Sequence, residues 1–318
     1  MKQLELVIVQ FEEVKKLIHV GRVPQLRLAF ILLDSAVELI MHRKVERELN
    51  SEQWRFEQLE RYRRIEDSGQ GNDWIREQIA ELEPQVTSKR RRKKINDVFG
   101  AKVEFLVERD ALPTEVLPVM SRLHEYRNET YHRDEHRVDV LLPAVLIYFD
   151  VACTVLSTLR PRWIDDNEET GPELERFLQG PGGSTDIFRI PEYAAATLRR
   201  EVGLDLTTVR SALKNHLLAR LEELEDCIRE VMGFCRETRP GAIDTIQWGE
   251  SDPAVSEEEI LSWRERAEAL AEIDEKHAMF SEFAKIEIAL EPFEKKAIDA
   301  AIRIDEEINL QIDIARGK

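Results

Sequence analysis

The stretch Thr114-Glu-Val-Leu-Pro-Val-Met-Ser-Arg-Leu-His-Glu-Tyr-Arg-Asn-Glu-Thr-Tyr-His132 decides the fold class. Leu117, Met120 and Leu123 recur every three positions, the spacing of one face of a helix, so a helix is expected from near Thr114 toward His132. Downstream, Pro143 is followed by LIYFDVACTVLSTL, an apolar segment that ends before Pro161. Upstream, Ile95, Phe99, Val103 and Leu106 keep helical spacing, and residues 26–48 form a long apolar segment without Gly or Pro. Four such helices with short connections make a bundle. One long interruption, about 52–94, holds a helical segment with Trp54 and Tyr62, a Gly-containing loop at 67–73 and a dense basic run.

Beyond the bundle, residues 165–190 are rich in Asp, Glu, Gly and Pro and read as a linker. Leu206, Val209, Leu213, Leu217, Leu221, Leu224, Ile228 and Val231 then step by three or four along one helix. Ser256 and Glu259 have capping-box spacing for a long last helix, which Pro292 is expected to kink or break. Ile298/Ile302 and Ile308/Ile312 are apolar i,i+4 pairs past that point. No alternating strand pattern occurs. The expected fold is all-α: a bundle over 1–164, a linker over 165–190, and an acidic helical module over 191–318 with a long C-terminal helix.

Composition narrows the function classes. Hydrophobic residues make up 42% of the 318 residues, enough for a real core. No continuous apolar run reaches the ~18–20 residues of a membrane span, and the N-terminus turns acidic too early for a signal peptide, so no membrane association is expected. Cys153, Cys227 and Cys235 are too few and scattered for a disulfide framework or zinc site, which fits a cytoplasmic protein. The net charge of -17 is unevenly spread. Residues 1–165 hold 27 Lys and Arg against 28 Asp and Glu, while the remainder holds 19 against 35. A nucleic-acid site therefore belongs in the first half.

Within the quoted stretch, Arg127 and His132 pair a permanent guanidinium with a group that titrates near neutrality. Cleaving RNA without a metal requires moving the 2′-hydroxyl proton and protonating the leaving oxygen, which imidazole can do. Arg can meet two phosphate oxygens and stabilise the charge that builds on phosphorus. Residues five apart on an ideal helix point about 140° away from each other. Either a helix distortion near His132 or a second copy of the motif across a dimer would bring the two groups together.

The segment resembles the R-x4-6-H motif of the HEPN superfamily in its R-N-x-x-x-H form, carried here by Arg127, Asn128 and His132. The setting is similar as well: a helical bundle, with an amphipathic helix containing Ala36–Leu39 about 90 residues before the motif. The resemblance covers roughly residues 10–160. It implies a metal-independent endoribonuclease without cofactors, a homodimer whose paired motifs form one cleft, and a 2′,3′-cyclic phosphate product. By the same resemblance Asn128 orients the site or binds phosphate, and the context is a toxin with its antitoxin or regulatory protein, or an antiphage system. In HEPN toxins paired with nucleotidyltransferase antitoxins a Tyr stands two residues after the His. Here that position is Asp134, and Tyr131 precedes the His, free to contact RNA or to pack.

Lys89, Arg90, Arg91, Arg92, Lys93 and Lys94 form the strongest electrostatic feature. A helix starting near Ser88 would place them at its N-terminus, where the helix dipole disfavours cations and favours an anion. No aromatic interleaves the run, so it is expected to bind RNA backbone. Asp34 and Glu38 share a face with Arg27 and His42, which reads as a narrow solvent stripe. The resemblance offers another reading, in which both approach the Arg–His motif. Glu129/His132 and His132/His136 have metal-like spacing without a complete ligand set, so no metal is expected. The alternative to a ribonuclease is a catalytically silent helical interaction or RNA-binding module. The acidic half is expected to strengthen the dimer or recruit a regulator, with its acidic face screening the basic run, or simply to be a soluble domain.

Overall fold

A computed structural model describes residues 2–129, 138–159, 171–178, 186–247 and 254–316. The described residues are helical, without strands. The chain divides into two compact units, one of residues 1–136 and 144–204, the other of 137–143 and 205–318.

The first unit is built on α1 (Lys2–Val20) and α2 (Val23–Ser51). Gly21, at φ +68°, takes the left-handed position that ends α1 and lets the chain turn back. α1 buries Leu4, Val7, Ile8, Phe11, Val14 and Ile18, an uninterrupted i,i+3/i+4 stripe. α2 buries a wider band from Leu26 to Leu49 because other helices pack on it too. The interruption after α2 is itself helical: α3 (Gln53–Ile65), α4 (Asp73–Leu82) and α5 (Lys89–Asp97). The expected helix through Ile95 and Leu106 is two helices. Val98 is extended (φ -116°, ψ 123°), which separates α5 from α6 (Phe99–Glu108) and lets both Ile95 and Phe99 reach the core.

α7 (Val116–Asn128) carries the first part of the motif stretch. α8 (Val138–Ser157) contains Pro143 within the helix. By length and composition α8 could cross a membrane, yet 78% of its most apolar window is buried within the protein. Phe149 meets Phe11 at 5.6 Å and Tyr148 meets Phe30 at 5.3 Å. The part of the expected linker at 171–178 is packed: α9 (Pro172–Glu175) and its exit bury Leu174 and Phe177. α10 (Ile190–Val202) lies against α1, so the change of unit falls at 204–205. Arg199 on α10 pairs with the buried Asp150 at 2.7 Å.

In the second unit, α11 (Leu206–Cys235) buries the apolar positions from Val209 to Val231 that its sequence spaces by three and four. Around it stand α12 (Arg239–Ile246), α13 (Glu257–Ala269) and α14 (Lys276–Ala315). Ser256 accepts from the Glu259 amide at 3.2 Å, capping the 13-residue α13 rather than the last helix. Glu275 caps α14 instead. α14 runs unbroken through Pro292, and Ile298, Ile302, Ile308 and Ile312 on its distal part are exposed.

Candidate functional site

The organising group of the first unit is Asp34, which sits in α2 with its carboxylate fully buried. A buried carboxylate is costly unless hydrogen bonds and a counter-charge satisfy it. α7 and α8 supply both. Tyr148 donates its hydroxyl to Asp34 Oδ1 at 2.6 Å, and His124 Nδ1 lies 2.9 Å from the same oxygen. Arg127 Nε stands 3.4 Å from Oδ2, at ion-pair distance. Arg127 also donates to Asn128 Oδ1 at 3.1 Å. His124 and Arg127 meet one carboxylate because residues three apart on a helix are neighbours on one face. The His124 ring stacks on Phe99 of α6, with centroids 3.9 Å apart and planes within 4°, which fixes its orientation.

Burial, the adjoining Asp34 charge and the hydrogen bond to it push the Tyr148 phenol well above its ordinary range. Tyr148 therefore remains a neutral donor across physiological pH. Glu38, one turn from Asp34, takes the Lys102 ammonium at 2.8 Å, and Lys102 itself is buried. The solvent stripe expected on this helix is interrupted at Asp34, which is fully buried. His42 is exposed and Arg27 half-buried, but Asp34 points into the bundle. The physical reason is that α7 and α8 bring donors to Asp34, which no pattern within α2 could reveal.

The site thus brings together Asp34, Arg127 and Asn128 from the sequence analysis. His132 and Tyr131 lie outside the described residues. Two participants received no role from sequence, His124 and Tyr148. Their signals were a His one turn before Arg127 and a lone Tyr in the apolar segment after Pro143.

The basic run forms the first turns of α5, and Ser88 caps it by accepting from the Arg91 amide at 3.3 Å. The six charges divide into two sets. Lys89 pairs with Glu60 and Arg91 with Glu108. Arg92 lies 3.3 Å from the buried Glu52 and 4.1 Å over the Phe56 ring. Glu52 also accepts from Arg109 and from the Thr87 amide at 2.9 Å, so Arg92 belongs to a structural knot. Arg90, Lys93 and Lys94 are exposed and make no ion pair among the described residues. Arg90 and Lys94, with Ser88, Arg91 and Glu104, line a surface recess of about 490 Å³. Among the described residues no cluster of three or more His, Cys, Asp or Glu is placed to hold a metal ion.

No protein-family model, no curated protein and no solved structure matches this chain.

Proposed function

We propose that the first unit is a HEPN-like bundle acting as a metal-independent endoribonuclease, with Arg127 stabilising the charge on phosphorus and His132 transferring a proton. The observation that carries this reading is the Asp34 constellation. A carboxylate from the earlier helix stands at ion-pair distance from Arg127, whose side chain stays 25% exposed. Preorganised charge of this kind lowers a barrier because little reorganisation accompanies the reaction. Asn128 accepts a hydrogen bond from the Arg127 guanidinium and helps to hold it. Arg90, Lys93 and Lys94, with Tyr131, provide the RNA-binding surface in this proposal. A cytoplasmic homodimer with paired motifs and an antitoxin or other regulatory partner belong to the same proposal, as does an origin in a toxin–antitoxin or antiphage system.

One observation favours the silent-module reading: Arg127 is engaged by Asp34 and Asn128, as a purely structural arginine would be. RNA cleavage by the full chain in EDTA separates the two. The ribonuclease reading expects cleavage ending in 2′,3′-cyclic phosphate, lost in folded His132→Ala and Arg127→Ala proteins. A silent module binds RNA or a protein and leaves RNA intact.

A further inference from the structure

We propose that the recess between α5 and α6 is a nucleotide subsite, taking a nucleoside monophosphate unit with its phosphate on Arg90 and Lys94 and an amino-bearing base toward Glu104. The inference rests on the RNA-binding surface of the ribonuclease reading and deepens it from a charged face to a site that selects a base. Val98 is extended between the two helices, which pack on each other and leave a recess of about 490 Å³. Small-molecule sites usually occupy about 300–1,000 Å³. α5 lines it with Arg90, Arg91, Lys94 and Ile95, and α6 with Ala101 and Glu104.

The charges around the recess are not balanced against each other. Arg91 pairs outward with Glu108. Arg90, Lys94 and Glu104 are exposed and line one recess, yet none of them makes an ion pair among the described residues. Opposite charges left unpaired in one place suit a ligand that carries both an anion and a hydrogen-bond donor. Arg90 and Lys94 stand one helical turn apart on the same side, within reach of a single phosphate. Ser88 Oγ accepts from the Arg91 amide, so its own O–H is available to donate to that phosphate. Ile95 and Ala101 add apolar surface, which a bare phosphate does not use and a flat base does. Glu104 can only accept, so it favours the exocyclic amine of adenine, guanine or cytosine. It also repels the further negative charges of a polyphosphate or an acidic peptide, which leaves the monophosphate unit as the better match. That unit is a residue of an RNA strand or a free nucleotide.

The test is calorimetric titration of the full chain with adenosine 5′-monophosphate, purine riboside 5′-monophosphate (which lacks the amine), inorganic phosphate and hexa-adenylate RNA. The wild type should bind the adenosine nucleotide about 10–100-fold more tightly than the purine nucleotide, the value of one hydrogen bond to a charged acceptor. It should bind inorganic phosphate more weakly than either. Glu104→Gln should erase the preference for the amine and leave phosphate binding in place, whereas Arg90→Gln with Lys94→Gln should weaken all four ligands. The substituted side chains are exposed, so the variants keep the core intact. Hexa-adenylate that competes with the mononucleotide identifies RNA as the source, and a mononucleotide that binds without such competition identifies a free nucleotide. Equal affinity for the two mononucleotides, or a preference that survives Glu104→Gln, overturns the proposal. A chain with the expected binding pattern that cleaves no RNA overturns the ribonuclease reading alone, and a chain that cleaves RNA without this pattern overturns the recess proposal alone.

Discussion

Asp34 in the first unit and Glu287 in the second are both carboxylates with no exposure, yet their partners differ. Glu287 takes Arg220 at 3.1 Å, with His216 Nε2 3.9 Å away, and Arg220 also binds Glu294 at 2.9 Å. Arg220, His216 and Glu294 keep only 12–13% of their side-chain surface. The partners of Asp34 divide by role instead. Tyr148 is wholly inside, whereas His124 and Arg127 retain 22% and 25% exposure. One cluster is a lock between α11 and α14. The other is an anchor whose His124 and Arg127 side chains keep part of their surface. The two buried carboxylates thus differ in the accessibility of what they hold.

Removing each buried carboxylate in turn separates the two clusters. Asp34→Ala deprives Tyr148 and His124 of their shared acceptor and Arg127 of its counter-charge, and should cost about 3–5 kcal/mol, the usual loss on breaking a buried pair. Glu287→Ala should cost less, about 1–3 kcal/mol, because Arg220 keeps Glu294. Hydrogen exchange followed separately in α2 and in α11 reads the two units independently. Equal losses, or a larger one at Glu287, would undo the distinction.

The second contrast lies within the basic run. Replacing Arg90, Lys93 and Lys94 with Gln should flatten the salt dependence of RNA binding by about 0.7 for each phosphate no longer neutralised, or roughly 2 for all three. Replacing Arg92 should instead lower stability, since Glu52 would lose a charged partner in the core. A salt slope that responds to Arg92 and ignores the other three would place RNA elsewhere.

The smallest effect is expected in the second unit. Arg239 holds Glu225 through two bonds of 2.5 and 2.6 Å, and this hydrogen bonding keeps the Glu225 carboxyl below its ordinary range. A depressed acid stabilises the fold above its unfolded pKa and loses that contribution as pH falls through the lower, folded value. Glu225→Gln should therefore cost about 0.5–1 kcal/mol at neutral pH and nothing in strong acid. Thermal melting of the two proteins from pH 7 down to pH 3 checks this, and a gap that widens toward acid would contradict it.

What the sequence made legible was whatever depends on local pattern. The helix start at Ser88, the stripe of α11 and the all-helical character follow from spacing and capping. Asp34 was misread because its face also carries Arg27 and His42, and only α7 and α8 reveal that the bundle closes over the middle of that stripe. The break at Val98 was hidden because Ile95 and Phe99 keep helical spacing across it, even though the chain leaves helical geometry to bury both. Pro292 does not break α14, which continues through it to Ala315. His124 stood in plain view within the motif stretch. Its partner lies 90 residues away, beyond the reach of periodicity.

In the proposed ribonuclease, Asp34 presents Arg127 for chemistry rather than for packing. RNA cleavage in EDTA with the full chain checks this, comparing wild type, Arg127→Ala and His132→Ala, each verified by circular dichroism. Loss of one preorganised charge partner should lower kcat about 10²–10³-fold, and loss of the proton-transfer group about 10²–10⁴-fold. Arg127→Ala should also melt somewhat earlier, because the buried Asp34 loses its counter-charge. A folded Arg127→Ala protein that cleaves RNA at the wild-type rate would contradict the account.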